Sequence, residues 1–134
     1  MRIDEVEGIG PTYSAKLGEV GVRTTDDLLM AGASRAGRAK LEASTGISGK
    51  LLLEWVNHVD LMRIPGVGSE YSDLLEAAGV DSPAELAQRN AANLAQTFQE
   101  VIAARPTWVR RIPSEATVTQ WIAAASKMGK TVEH

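Results

Sequence analysis

A nine-residue stretch occurs twice in this chain. Val6-Glu7-Gly8-Ile9-Gly10-Pro11-Thr12-Tyr13-Ser14 returns 58 residues later as Ile64-Pro65-Gly66-Val67-Gly68-Ser69-Glu70-Tyr71-Ser72. Leu17, Gly21, Val22 and Leu28 return at the same offset as Leu75, Gly79, Val80 and Leu86. A repeat of this length restricts the fold to two copies of one small supersecondary unit. An apolar-Gly-apolar-Gly turn that opens a helix suits two uses. It can lay bare amides against a phosphate, or it can simply turn the chain between packed helices.

Nearly every segment between these turns reads as helix. Pro11 follows Gly10 at a first helical position, where a missing N–H costs nothing. Tyr13, Leu17 and Val20 then form a helical stripe ended by Gly21. Thr24 starts a short helix, with Asp27 as the acidic partner of a capping box. Ser34 caps the next helix, which Gly46 ends. Ser48 caps a longer one to about Met62, with a broad apolar face of Leu51, Leu52, Trp55, Val56, Val59 and Met62. In the second copy, Tyr71, Leu75 and Ala78 repeat the first stripe. Ser82, Pro83 and Glu85 give cap, first-turn proline and box. A helix over about 91–104 follows, and a last one starts near Ser114. Trp121 follows Ser114 by seven residues, as Trp55 follows Ser48. The offset there is 66, so the second copy carries about eight extra residues, around 105–112. The expectation is an all-α chain, a single compact domain of repeat units 1–62 and 63–129 sharing one core. Residues 130–134 read as a loose tail.

Bulk properties narrow the function classes. The chain has 134 residues, enough for one domain, and no run of about 18 apolar residues that would span a membrane. Its N-terminal residues lack the apolar stretch of a secretory signal. It contains no cysteine, so disulfides and thiolate metal sites are excluded, in keeping with a cytoplasmic location. Net charge is −3, from 14 basic and 17 acidic groups. Residues 1–62 contribute −2 and residues 63–134 contribute −1. A large uniform basic surface, common in dedicated nucleic-acid binders, is therefore excluded, although a local patch is not.

The segments G-I-G-P-T-Y-S-A-K-L-G-E-V-G-V and G-V-G-S-E-Y-S-D-L-L-E-A-A-G-V resemble the helix-hairpin-helix superfamily. The likeness covers the hairpin, the helix after it and the glycine that ends that helix, in both copies. The whole chain, including S-G-K-L-L-L-E-W-V, resembles a bacterial family of tandem helix-hairpin-helix proteins classed as a domain of unknown function. The resemblance implies a SAM-domain-like helical array. It also implies two candidate activities, since such folds occur in DNA-handling proteins and as protein-interaction modules.

Carried onto this chain, the nucleic-acid use assigns phosphate binding to Gly8, Ile9, Gly10 and Thr12, with Lys16 reaching an adjacent phosphate. Such contacts hold the backbone of duplex DNA without reading its sequence. The second hairpin departs from the pattern. Glu70 stands where Thr12 stands, Asp73 replaces Ala15 and Leu74 replaces Lys16. Carboxylates there suit the helix dipole and repel a phosphate at the same amides.

Two basic clusters are possible accessory contacts: Arg35, Arg38 and Lys40 in one helix, and Arg110 and Arg111, with Arg105, flanking Trp108 in the extra segment. Arginines around a tryptophan can grip a nucleic-acid backbone while the ring stacks. They can equally cover apolar surface or pair with Glu100 and Glu115. Gly129-Lys130-Thr131 echoes the end of a phosphate loop, but Ala124 occupies the place of its first glycine. His58 and His134 are the only histidines and have no clustered ligands along the sequence, so no zinc motif is written and no cofactor is expected. No nucleophile-base constellation emerges, so the chain is not expected to be an enzyme. Two readings stay open: a non-specific duplex-DNA binder acting through the first hairpin, or a non-enzymatic protein-interaction module with the Trp108 region as contact.

Overall fold

The computed structural model describes residues 1–105 and 111–134. Among these the chain is all-helical. Eight α-helices follow a short 3-10 turn at Ile3–Glu5, and the one strand-like pairing is an isolated bridge between Arg2 and Thr24. The helices are α1 (Pro11–Glu19), α2 (Thr25–Gly32), α3 (Arg35–Thr45), α4 (Gly49–Leu61), α5 (Ser69–Ala77), α6 (Pro83–Ala87), α7 (Ala91–Ala104) and α8 (Glu115–Ser126). No described helix is long and apolar enough to cross a membrane.

Local chemistry explains where they begin. The first N–H groups of a helix have no partner inside it, and a side-chain oxygen one residue upstream supplies one. Thr24 accepts from the Asp27 amide at 3.0 Å, and the Asp27 carboxylate accepts in return from the Thr24 amide at 3.1 Å. Ser34, Ser82, Asn90 and Ser114 cap α3, α6, α7 and α8 in the same way. Ser48 accepts from the Leu51 amide in the first turn of α4. Only α1 and α5 start without a side-chain cap, because glycines, Gly10 and Gly68, stand at the capping position.

The chain divides into two compact units. The first comprises Met1–Asp60 with Thr131–His134, the second Leu61–Lys130. Each has its own apolar interior. In the first, Leu17, Leu28, Leu52, Trp55 and Val56 are central; in the second, Leu74, Leu75, Leu86, Phe98 and Trp121. Two clusters thus replace the single shared interior expected from the sequence. The physical reason is that each copy of the repeated turn has a tryptophan of its own to pack against. Each long helix, α4 and α8, carries its own tryptophan, and each ring packs beneath its own copy of the repeated turn. Fully burying one leucine or phenylalanine contributes about 1.5–3 kcal/mol, and each unit buries several such side chains in its own interior.

Residues 130–134 correct a second expectation. They do not form a loose tail. Val132 is 2% exposed and belongs to the interior of the first unit. The Glu133 amide donates to the Ala33 carbonyl at 2.7 Å. The reason lies in α3. Counted from their caps, Arg38 of α3 takes the place of Leu94 in α7. α7 buries Leu94, Phe98 and Ile102, whereas α3 buries Leu41 and the stem of Arg38. Val132 fills the apolar space that α3 leaves.

Candidate functional site

The two repeated turns have one geometry. Gly8 and Gly66 adopt φ of +88° and +89°, a left-handed conformation that any Cβ would strain. The Ile9 amide then donates to the Val6 carbonyl at 3.1 Å, and the Val67 amide to Ile64 at 3.0 Å. Gly10 and Gly68 return to extended backbone and hand the chain to α1 and α5. Their carbonyls accept from Ser14 and Ser72 at 2.9 Å, the first bonds of each helix. Gly21 and Gly79 close the helices at φ +84° and +91°, with Val22 and Val80 folding back onto Leu17 and Leu75 at 2.9 Å. Tyr13 packs edge-on to Trp55 with ring centroids 5.0 Å apart, and Tyr71 tilts against Trp121 at 5.3 Å. The tyrosines therefore brace the turns, and the Tyr71 hydroxyl donates to the Arg111 carbonyl at 3.0 Å.

The outer side of the first turn is exposed and rich in donors. Gly8, Gly10, Thr12 and Lys16 all face solvent. The amides of Gly10, Thr12 and Tyr13 meet no internal acceptor among the described residues. No carboxylate stands in the first turn of α1. A Cβ added at Gly10 would meet nothing within 4 Å, so the approach to these amides is open. One assigned residue drops out. Ile9 is 3% exposed and its amide is already committed to Val6, so it anchors the turn and has no donor to offer. The second turn differs where the sequence differs: Glu70 is exposed in the first turn of α5.

The described accessory residues differ in exposure. Arg38 is 6% exposed. Its guanidinium donates to the Gly32 carbonyl at 2.8 Å, to the Ala33 carbonyl at 3.1 Å and to the Glu133 carbonyl. A buried cation held by three carbonyls is a structural strut and not a surface contact. Arg35 is exposed but tied by its Nε to the main-chain oxygen of His134 at 2.9 Å. Lys40 and Arg111 are exposed. Trp108 and Arg110 lie outside the described residues.

Two clefts in the first unit went unnoticed in the sequence. One, of about 290 Å³, is lined by Val20, Val22, Ala31, Gly37, Lys40, Leu41 and Ser44. Val20 belongs by spacing to the buried stripe of α1, yet it is 40% exposed at the helix end. The second unit shows why this cleft stays open. There Arg89, which takes the place of Ala31 at the 58-residue offset, lays its guanidinium over the Gly79 corner. It donates to the Gly79 carbonyl at 3.1 Å and to Glu85 at 3.2 Å. Alanine at 31 leaves the Gly21 corner uncovered. The other cleft, of about 320 Å³, brings Arg23 and Ser14 together with Arg2, Ile3, Asp4 and Thr24. Arg2 grips Asp4 there at 2.6 Å, which raises the guanidinium's pKa and holds the carboxyl below its ordinary range.

Asp27 is likewise held below the ordinary carboxylate range. Amide donation from Arg23 and Thr24 and the Thr24 hydroxyl all stabilise its charged form. The effect is local to the start of α2.

No curated protein and no solved structure matches the chain. The family described as Domain of unknown function (DUF4332) matches residues 7–128, a span that runs from the first turn through all eight helices, and the chain belongs to that family.

Proposed function

We propose that this chain is a tandem helix-hairpin-helix module that binds the backbone of duplex DNA through its first turn, without sequence preference. The observation that carries the reading is the start of α1. Three amides, at Gly10, Thr12 and Tyr13, meet no internal acceptor among the described residues, on a helix whose first turn holds no carboxylate. A helix N-terminus carries about half a positive charge, and a phosphate is the ligand that such a corner suits. Gly8 allows close approach, and Lys16, exposed one turn further on, supplies a full charge. Glu70 makes the second turn a poor phosphate ligand and leaves it a structural role.

The test is fluorescence anisotropy with a labelled duplex in about 50 mM and 200 mM salt. Neutralising about two phosphates gives a loss of roughly tenfold across that range. Binding at neither salt would end the reading.

A specific observation also favours a protein partner. The cleft lined by Val20, Val22, Ala31 and Leu41 is mostly apolar-walled, and Val20 there is 40% exposed. An exposed apolar cleft of this kind suits a protein contact. Under this second reading, Ala31→Arg would close the cleft and abolish partner binding without weakening any DNA affinity.

A further inference from the structure

The cleft of about 320 Å³ that holds Arg23 adjoins the first turn. Its lining residues all belong to the first unit. The chain builds it by laying its first residues beside the segment that follows α1. The Ile3 amide donates to the Arg23 carbonyl and the Thr25 amide to the Met1 carbonyl, each at 2.9 Å. Ile3 is buried between them, and α1 contributes Ser14. Ser14 is where the cleft meets the turn. Its amide donates to the Gly10 carbonyl at 2.9 Å, and it stands one helical turn, about 6 Å, beyond Gly10 along α1. That rise is comparable with the separation of neighbouring phosphates along one strand. The Ser14 hydroxyl makes no hydrogen bond among the described residues, and the residue is half-buried.

The charges in the cleft favour an anion. Arg2 and Asp4 grip each other and are neutral as a pair. Arg23 adds a cation that is exposed and whose guanidinium makes no hydrogen bond among the described residues. Asp27 lies near enough to feel Arg23, but its carboxylate is engaged by the amides of Arg23 and Thr24. The second copy is written differently at the same offset. Asp81 answers to Arg23 and Asp60 to Arg2, and Ser72, the counterpart of Ser14, is fully buried. The cations and the accessible hydroxyl are therefore particular to the copy whose first helical turn carries no carboxylate.

We propose that this cleft is a second phosphate subsite: Arg23 and the Ser14 hydroxyl hold the phosphate next to the one on the first turn, on the same strand. The inference rests on the reading of that turn as the duplex-DNA site, and it adds one phosphate to those of the turn and Lys16. A guanidinium with a neighbouring hydroxyl is a donor set that suits phosphate oxygens. The cleft is larger than a phosphate alone and leaves room for the sugar beside it.

The test is fluorescence anisotropy on the full chain with a labelled duplex, from about 50 to 200 mM salt. Three phosphates make affinity fall roughly fortyfold across that range, where two give roughly tenfold. Arg23→Ala should therefore return the loss to roughly tenfold. Lys40→Ala removes the same charge from the other cleft and should leave the loss at roughly fortyfold. Ser14→Ala removes no charge and should weaken binding roughly threefold to tenfold at every salt. Melting temperatures of the variants show that folded chains are compared. The subsite is wrong if the wild-type chain loses only about tenfold, if Arg23→Ala and Lys40→Ala change the loss equally, or if Ser14→Ala binds as the wild type does. In each of those cases the first turn stands if Gly10→Asp abolishes binding. Absence of wild-type binding in low salt overturns both.

Discussion

Gly66 lies against the indole nitrogen of Trp121 so closely that a Cβ built on it would come within 3.2 Å of Nε1. Gly8 repeats the relationship with Trp55 at 3.7 Å. Both glycines also hold positive φ. Alanine at either site therefore meets left-handed strain of about 1–2 kcal/mol. At Gly66 it also meets the buried ring. Gly66→Ala should lower unfolding free energy by more than Gly8→Ala, as measured in urea. Equal losses would show that the Trp121 ring yields to the added methyl, and no loss at either site would contradict the left-handed strain.

Val132 predicts a second stability effect. Val132→Ala removes two methyl groups from the interior of the first unit and should cost about 1–3 kcal/mol. A residue in a loose tail would cost nothing. Thermal unfolding of the two chains side by side distinguishes these outcomes.

The open corner at Gly21 can be filled. Ala31→Arg copies the arrangement in which Arg89 donates to the Gly79 carbonyl. One added hydrogen bond and coverage of Val20 and Val22 should stabilise the chain by about 0.5–1 kcal/mol, net of the side-chain entropy lost. A fall in stability would mean that the two units differ at this corner in more than residue 31.

Asp27 sets a pH dependence of definite sign. Its pKa is depressed in the folded chain, so its contribution is fully present above the ordinary carboxylate pKa near 4 and is lost as pH falls through the lower, folded value. Asp27→Asn should therefore reduce the melting temperature at neutral pH and make progressively less difference below about pH 4. A gap between the two melting curves that stays constant into strong acid would assign the cap to neutral hydrogen bonding.

Helix starts and turns were legible because their causes are local. Thr24 with Asp27, Ser82 with Pro83, and the glycines at 8, 21, 66 and 79 each act within a few residues of chain. What was not legible depends on partners far along the sequence. Arg38 reads as a solvent-facing cation until the carbonyls of Gly32 and Glu133 are placed around it. A hint exists: three residues before Leu41, the apolar stripe of α3 is interrupted where α7 carries leucine. Val132 is a single apolar residue between Thr131 and Glu133, too short a pattern to announce a strap. The division into two interiors follows from which tryptophan meets which turn, and periodicity along one helix carries no such information. At the site, the exposed donors at Gly10 and Thr12 were readable from the turn. The commitment of the Ile9 amide was not, because it needs the backbone bond back to Val6.

The most direct test of the account separates the donors from the stability of the turn. Gly10 has open space around its missing Cβ and ordinary extended backbone, so Gly10→Asp fits and caps α1. Its carboxylate then occupies the amides that a phosphate would use. Duplex-DNA affinity measured by anisotropy in low salt, with melting temperature recorded on the same samples, should show binding lost while the chain melts at the wild-type temperature or slightly above. Unchanged DNA affinity in a folded Gly10→Asp chain would contradict the assignment of the first turn as the binding site.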